Sequence, residues 1–240
     1  MKVVYVLYAK PPFLGYVKTR LARHFGDEFA LFFYQLMLWW QAALIEDLLK
    51  EQKKAKLEIH LALPEYISLR QGSKLFKKAV NRKLKVKFHK QSKGDLGERM
   101  AHTMEHAFQK YDRCVIWGSD VILMTKDILF EAGQREEVCL VPATDGGYSL
   151  IAISKKQFNP QIFSNIAWSS KQTYKQQKRN IQNLKLPLYE FSPIPDLDTV
   201  EDIAENLNYM ESHDCPHYQK IAREFTYYLA STLNLDYQSG

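Results

Sequence analysis

The first strand pattern of the chain is the run Val3-Val4-Tyr5-Val6-Leu7-Tyr8, which ends at Lys10-Pro11-Pro12. A short apolar run closed by prolines predicts a buried β-strand. Further strand patterns alternate with helical patterns along the chain. Strands are predicted at 57–63, 85–89, 114–117, 138–141, 148–153 and 188–191, and helices at 27–50, 73–79, 95–110, 126–134 and 169–183. This alternation predicts an α/β fold with three α/β/α layers around a mostly parallel mixed sheet.

Length and composition indicate an ordinary globular protein. The chain has 240 residues, of which 46% are hydrophobic and 25% charged, and this excludes fibrous and disordered classes. We expect a main domain over 1–212 and a helical appendage over 213–240 packed on it. Only three cysteines are present, far apart in sequence, so we expect no disulfide framework and a cytoplasmic location.

One segment tests whether the chain enters a membrane. Residues 29–45 are nearly all apolar, but Gln35 and Gln41 interrupt them and Glu46 follows at once. A spanning helix needs about 20 apolar residues, so we expect a buried core helix and no membrane span. The aromatic helix 27–50 is also a candidate surface for a homodimer.

The basic residues are unevenly distributed. The formal net charge is +6, yet the segment 66–94 holds ten basic residues and no acid. Such a face can attract a polyanion or can simply be solvated, and both readings stay open. No nucleic-acid-binding motif accompanies the lysines, so we expect no nucleic-acid partner. A non-catalytic anion-binding protein that uses 66–94 remains an alternative function.

The loop after the first strand combines a glycine with cations. Gly15 lets the backbone approach a ligand, and Lys18 and Arg20 bring positive charge close behind it. Backbone amides and cations together suit a polyphosphate. An ordinary surface loop with incidental charges is the alternative.

Carboxylates follow two later strands and one loop near the end of the chain. Asp120 ends Gly118-Ser119-Asp120 and is either a divalent-metal ligand or a cap of the next turn. Asp145 in Asp145-Gly146-Gly147 either serves an acceptor hydroxyl or makes a hairpin turn. Asp196 and Asp198 alternate, so at most one of them can share a metal with Asp120.

Six stretches, taken in order, resemble one family. They are Lys10–Ala22, Gly94–Met100, Gly118–Asp120, Pro142–Tyr148, Trp168–Ser170 and Asp196–Thr199 with Asp202. Together they resemble the nucleotide-diphospho-sugar transferase superfamily with the GT-A fold. Within it they are similar to the rSAM/selenodomain-associated, glycosyltransferase-like group.

The resemblance implies a role for each stretch. Nucleotide-binding residues would be Lys10, Gly15, Lys18, Arg20, Gly94, Gly97 and Arg99, and the acceptor side would hold Gly146, Gly147, Tyr148 and Trp168. Lys18, Arg20, Asp120 and Asp145 would be catalytic. Asp120 would bind Mg²⁺ or Mn²⁺, and Asp198 would complete that metal site.

The resemblance implies a metal-dependent transferase that uses a nucleotide-activated donor. Glycosyl transfer releases a nucleoside diphosphate, whereas nucleotidyl transfer to a phosphorylated substrate releases pyrophosphate. Glycosyl transfer is our leading expectation, and nucleotidyl transfer is the alternative.

Overall fold

The computed structural model of the chain describes most of the sequence. The described residues are 1–52, 55–81, 84–121, 123–195, 197, 202, 203, 206, 211, 219, 220, 222–224, 226 and 227. The predicted metal ligand Asp198 lies outside them. So does most of the predicted appendage 213–240, and the domain boundary stays a prediction.

A seven-stranded sheet forms the middle layer of the described fold. Its strands are β1 (Val3–Ala9), β2 (Lys56–Leu61), β3 (Lys87–Lys90), β4 (Arg113–Gly118), β5 (Val138–Pro142), β6 (Tyr148–Ser154) and β7 (Leu188–Glu190). Their order is β3-β2-β1-β4-β6-β5-β7. β1 pairs in parallel with β2 and β4, while β6 runs antiparallel to β4 and β5. The predicted mostly parallel mixed sheet is confirmed.

Helices cover both faces of the sheet. They are α1 (Thr19–Glu51), α2 (Leu69–Val80), α3 (Leu96–Ala107), α4 (Lys126–Gln134) and α5 (Thr173–Asn183), with a short 3₁₀ helix at Pro160–Phe163. Residues of α1, α2 and α4 share one hydrophobic core, and residues of α3, α5 and the 3₁₀ helix share the other. Because successive strand residues point to opposite faces, β1, β4, β5 and β6 each supply residues to both cores. The predicted three-layer architecture is therefore confirmed.

Helix α1 is longer than the sequence pattern predicts. It begins at Thr19 rather than at Asp27, and it bends at Gly26, whose φ of 84° is not helical. A glycine tolerates that positive φ, so the chain continues as helix beyond the kink. The pattern marked only the piece after the kink, which carries most of the buried side chains.

Helix α1 also bears on the membrane and dimer predictions. By length and composition it could cross a membrane, and 67% of its most apolar 18-residue window is buried inside the fold. Phe29 and Phe33 are fully buried in the protein's own core. Lys220 Nζ lies 4.8 Å from the Trp39 ring centroid, so a described residue of the appendage also contacts this helix. The predicted lack of a span and the homodimer both stay predictions.

A buried glutamine explains why α1 is not wholly apolar. Gln41 is fully buried; its Oε1 accepts from Trp117 Nε1 at 2.8 Å, and its Nε2 donates to the Val121 carbonyl at 2.7 Å. Buried polar groups need partners, and Gln41 serves both the end of β4 and the segment after it. This side chain therefore fixes α1 against the strand end that carries Asp120.

Replacing Gln41 by leucine should destabilise the fold. In Gln41→Leu, the Trp117 indole N–H and the Val121 carbonyl lose their hydrogen bonds to the Gln41 side chain. We expect the free energy of unfolding to fall by about 2–4 kcal/mol. The half-buried Gln35 lies on the same helix, and Gln35→Leu should change stability by no more than about 0.5 kcal/mol. Urea denaturation measures the stability of both variants. Equal losses of stability would contradict a role for Gln41 in holding α1 against the end of β4.

Candidate functional site

The carboxyl ends of β1 and β4 open into one cleft. Its volume is about 600 Å³, within the usual range for small-molecule sites. Lys10 follows β1, and Ser119 and Asp120 follow β4; all three line the cleft. The parallel register of β1 and β4 brings them together, because Tyr8 lies opposite Gly118 and the Ser119 amide donates to the Tyr8 carbonyl at 2.9 Å.

A smaller cavity of about 220 Å³ adjoins this cleft. Lys10, Arg20, Tyr34 and Asp120 line both spaces, and Lys18 lines only the smaller one. The predicted cationic loop and the predicted acidic residue thus meet at one edge of the sheet. This is the arrangement that a cleft for phosphate groups requires, since cations and backbone amides attract phosphate.

Lys18 and Asp120 form an ion pair at the junction of the two cavities. Lys18 Nζ lies 3.2 Å from Asp120 Oδ1 and donates to the Leu197 carbonyl at 2.9 Å. The Lys18 side chain is 3% exposed, whereas that of Asp120 is 55% exposed. A buried ammonium requires such partners. Lys18 therefore holds Asp120 in place, and the phosphate contact predicted for Lys18 has to compete with this pair.

Tyr34 is a site residue that the sequence reasoning did not identify. Its hydroxyl accepts from the Lys10 amide at 2.9 Å and lies 3.0 Å from Ser119 Oγ. Burial, and then the nearby charge of Asp120, raise the pKa of Tyr34 well above its usual value, so it stays neutral. Tyr34 thus links α1 to the ends of β1 and β4. In the sequence, Tyr34 lies in an apolar helix and is indistinguishable from a core aromatic residue. Its hydroxyl was the only signal that it could bind other polar groups.

The opposite wall of the cleft comes from the β5–β6 hairpin. Asp145, Gly147, Tyr148 and Trp168 line it. Asp145 Oδ1 accepts from the Gly147 amide at 2.8 Å, so Asp145 makes the hairpin turn and also borders the cleft. The hairpin-turn interpretation of Asp145 is thus consistent with its position at the cleft. Its predicted role toward an acceptor hydroxyl stays a prediction.

Two aromatic rings line the part of the cleft that was predicted to be the acceptor side. The Tyr148 hydroxyl donates to Gln177 Oε1 at 3.0 Å, and burial raises the pKa of Tyr148 well above its usual value. Its ring meets that of Trp168 edge-on, with centroids 6.4 Å apart. Tyr148 therefore contributes an aromatic surface rather than a proton.

Two buried polar atoms on the cleft lining lack hydrogen-bond partners within the described part of the chain. They are Trp168 Nε1 and Ser149 Oγ. Buried donors without partners are rare in native folds. Among the described residues they are therefore candidates to bind a polar ligand.

Of the five predicted glycines, only Gly147 is among the described residues that line the cleft. Gly15, Gly94, Gly97 and Gly146 are not among the described lining residues. A Cβ at Gly97 would lie 2.5 Å from Trp168 Cζ2, and one at Gly146, where φ is 94°, would lie 2.5 Å from the Lys171 carbonyl oxygen. Both glycines thus let the Trp168–Lys171 loop approach closely. Direct ligand contacts from the four glycines stay predictions.

Arg99, which was predicted to bind the nucleotide, lines the cleft, and its role stays a prediction. Its Nη1 donates to Gln91 Oε1 at 3.1 Å while its Nε donates to the Asp95 carbonyl at 3.1 Å. These bonds orient the guanidinium at the N-terminus of α3. With Lys10 and Arg20, it gives the cleft a positive lining that suits an anionic ligand.

Asp120 fits a hard divalent cation. Its carboxylate is more than half exposed at the cleft and offers oxygen, the ligand atom that Mg²⁺ prefers. Mg²⁺ commonly needs only one or two carboxylates when substrate phosphates supply further ligands. The Lys18 ammonium at Oδ1 limits which oxygen is available.

A separate group of metal-ligating side chains lies among the described residues. Glu58, His60 and His89 place their ligand atoms within 4.8 Å of one another. None of the three was singled out by the sequence analysis.

A family model matches residues 35–170 of this chain, a family described as "Uncharacterized protein conserved in bacteria (DUF2064)". The chain belongs to this family. A search of functionally curated proteins finds no match.

One solved structure resembles the whole fold. It is a "putative nucleotide-diphospho-sugar transferase" from Desulfovibrio desulfuricans G20, 26% identical, with a TM-score of 0.79 over 94% of this chain and 99% of that one. The resemblance inferred from the sequence motifs is confirmed by this neighbour.

More distant neighbours share the fold alone. One is a 4-diphosphocytidyl-2C-methyl-D-erythritol synthase from Anaerococcus prevotii, with 8% identity and a TM-score of 0.53 over 88% of this chain and 98% of that one. Another is a nucleotidyl transferase from Methanothermobacter thermautotrophicus, with 10% identity and a TM-score of 0.53 over 87% of this chain and 97% of that one.

The contact between Gly97 and Trp168 can be tested directly. An alanine in place of an exposed helical glycine normally stabilises a helix, but Gly97→Ala forces its methyl group into the indole. We expect the free energy of unfolding to fall by about 1–3 kcal/mol, measured by urea denaturation.

The control is the same change in a Trp168→Ala background. With the indole gone, Gly97→Ala should cost little or should stabilise. Equal losses in both backgrounds would mean that Gly97 does not position Trp168.

Proposed function

We propose that this protein is a metal-dependent glycosyltransferase, which moves a sugar from a nucleotide-activated donor to an acceptor hydroxyl. The predicted transferase class agrees with the Desulfovibrio neighbour. The observation that carries the proposal is the cleft itself. Cationic side chains, a half-exposed carboxylate and an aromatic wall with unpaired donors surround one space of about 600 Å³.

The donor phosphates would lie between Lys10, Arg20 and Arg99. All three cations line the cleft, and Lys10 and Arg20 also line the cavity beside Asp120. Charge-assisted contacts to phosphate oxygens bind the diphosphate and stabilise the negative charge that grows on it as the donor bond breaks. A Mg²⁺ or Mn²⁺ ion held by Asp120 would supply further neutralisation of that charge.

The acceptor would enter along the hairpin wall. Trp168 offers a flat ring and Asp145 an oriented carboxylate, whose Oδ1 is held by the Gly147 amide. In the transfer, the acceptor oxygen bonds to the anomeric carbon as the bond to the diphosphate breaks. Asp145 accepts the proton of the acceptor hydroxyl. The products are the glycosylated acceptor and a nucleoside diphosphate.

Nucleotidyl transfer is the second candidate, and one observation favours it. The cavity of about 220 Å³ beside Asp120 is lined by Lys10, Lys18 and Arg20, a cationic space of the kind that a departing pyrophosphate needs. The Lys18–Asp120 pair argues against it, because Asp120 already neutralises part of that charge. Glycosyl transfer, which leaves the diphosphate on its nucleoside, therefore fits better.

The released phosphate product separates the two reactions. We expect a nucleoside diphosphate when the protein is incubated with UDP-, GDP- and ADP-sugars, Mg²⁺ or Mn²⁺, and a low-molecular-mass cell extract as the acceptor source. Phosphorus NMR distinguishes this product from pyrophosphate. Pyrophosphate release from nucleoside triphosphates would replace the leading proposal with nucleotidyl transfer.

Asp120→Asn tests the metal-dependent part of the proposal. Losing the anionic ligand should weaken metal-dependent nucleotide binding at least about tenfold in calorimetry. Asp127→Asn, an exposed aspartate on α4, is the matched control and should bind as the wild type does.

Two outcomes would contradict the proposal. One is a wild type that binds no nucleotide with either metal. The other is an affinity for anions that falls steeply with salt and is unchanged in Asp120→Asn. That result would indicate binding through the basic segment 66–94.

A further inference from the structure

A second polar cluster lies beneath α3, at the edge of the sheet. On β2, Leu57, Ile59 and Leu61 join one hydrophobic core, while Glu58 and His60 point to the opposite face. Glu58 and His60 are 7% and 5% exposed. The parallel register of β2 and β3 pairs His60 with His89. Three side chains of metal-ligating types, one glutamate and two histidines, therefore share one largely buried patch.

The spacing of the ligand atoms matches one coordination sphere. Glu58 Oε2 lies 3.2 Å from His60 Nε2 and 3.5 Å from His89 Nε2, and each residue places a ligand atom within 4.8 Å of those of the other two. Zinc binds nitrogen and oxygen at about 2.0–2.2 Å, which gives edges of about 3.3–3.6 Å in a tetrahedron. Two of the measured separations fall at or next to that edge length.

Hydrogen bonds fix the tautomer of the neutral His60 ring. The Tyr8 hydroxyl lies 2.9 Å from the Arg99 carbonyl and 2.7 Å from Thr103 Oγ1. A carbonyl only accepts, so the single Tyr8 proton goes to Arg99 and Thr103 donates to Tyr8. Thr103 Oγ1, 3.2 Å from His60 Nδ1, then accepts from that nitrogen. Neutral His60 therefore carries its proton on Nδ1 and a lone pair on Nε2.

This tautomer leaves a gap for a cation. The His60 Nε2 lone pair faces the Glu58 carboxylate at 3.2 Å, and two lone pairs at that distance repel each other unless a positive charge lies between them. His89 Nε2 is likewise buried with no hydrogen-bond partner in the described part of the chain. The Tyr8–Thr103–His60 chain is the kind of outer hydrogen bonding that orients a histidine ligand.

We propose that Glu58, His60 and His89 form a binding site for a Zn²⁺-class transition-metal ion. Two imidazoles and one carboxylate suit zinc and similar ions and disfavour Mg²⁺, which prefers oxygen ligands only. The His89 side chain is 32% exposed, so the site lies close to the protein surface. The site is distinct from Asp120 and does not depend on the proposed transferase function.

The ion would stiffen one wall of the cleft. His60 stacks on Tyr8 at 5.9 Å between ring centroids, and its carbonyl accepts from Gln91 Nε2 at 2.9 Å. Gln91 in turn accepts from Arg99. Fixing His60 therefore fixes both Tyr8 and the residue that orients Arg99. The role is structural positioning of the cleft, with no step of the reaction at this ion.

Metal binding by the full chain tests the proposal. Protein stripped with a chelator is titrated with ZnCl₂ by calorimetry, and its Tm is measured with and without zinc. We expect one zinc per chain and a higher Tm. His89→Gln should weaken binding at least about tenfold and abolish the Tm shift. Thr103→Val should weaken it about tenfold with the stoichiometry unchanged.

Matched controls separate this site from other sources of binding. His102→Gln, an exposed histidine on α3, and Asp120→Asn in the cleft should both bind zinc as the wild type does. If His89→Gln does not fold, Glu58→Gln serves as the second variant with the same expected loss. The proposal would be overturned if the wild type bound no zinc, or if His89→Gln and Glu58→Gln bound zinc as tightly as the wild type. A proton shared by Glu58 and His60 would then explain their short separation.

Discussion

The cleft depends on one ion pair between distant parts of the chain. Lys18 Nζ holds Asp120 Oδ1 and the Leu197 carbonyl, so the loop after β1, the end of β4 and a late segment meet at one buried ammonium. Lys18 takes a left-handed conformation, with φ of 46°, where the chain enters α1. Such a conformation costs a non-glycine residue about 1–2 kcal/mol. Because Asp120 is half exposed, the pair contributes little net stability and mainly fixes position.

That pair changes how the cationic loop functions. Lys18 is held against Asp120, whereas the cations of Lys10, Arg20, Arg99 and Lys171 line the main cleft. Tyr34 supports the same junction from α1 through its bonds to Lys10 and Ser119. The proposed phosphate site therefore has buried polar groups beneath it and positively charged side chains around it.

Most of the fold could be predicted from the sequence because its signals are local. Apolar runs of strand length alternate with helical patterns, and that alternation requires a sheet with helices on both faces. The helix boundaries were harder to predict from the sequence. The start of α1 depends on whether the helix continues through Gly26. Helix α5 begins at Thr173 rather than at residue 169, because the preceding residues form a loop in which Lys171 lies against Gly146.

The site was predictable to the extent that it follows strand ends. Asp120 and Asp145 could be placed because ligands bind beyond the carboxyl ends of parallel strands. Tyr34, the fit of Trp168 over Gly97, and the pairing of His60 with His89 depend on packing and on strand register, which no local pattern encodes. The alternation of Glu58 and His60 with Leu57, Ile59 and Leu61 was the one available signal for the second cluster.

The most direct test of the central claim is a crystal structure of the protein with a nucleoside diphosphate and Mn²⁺. The account predicts that the phosphate groups lie within hydrogen-bond distance of Arg20 and Lys10, with the ion at Asp120. Phosphates bound along the lysines of 66–94, with the cleft holding no nucleotide, would contradict it.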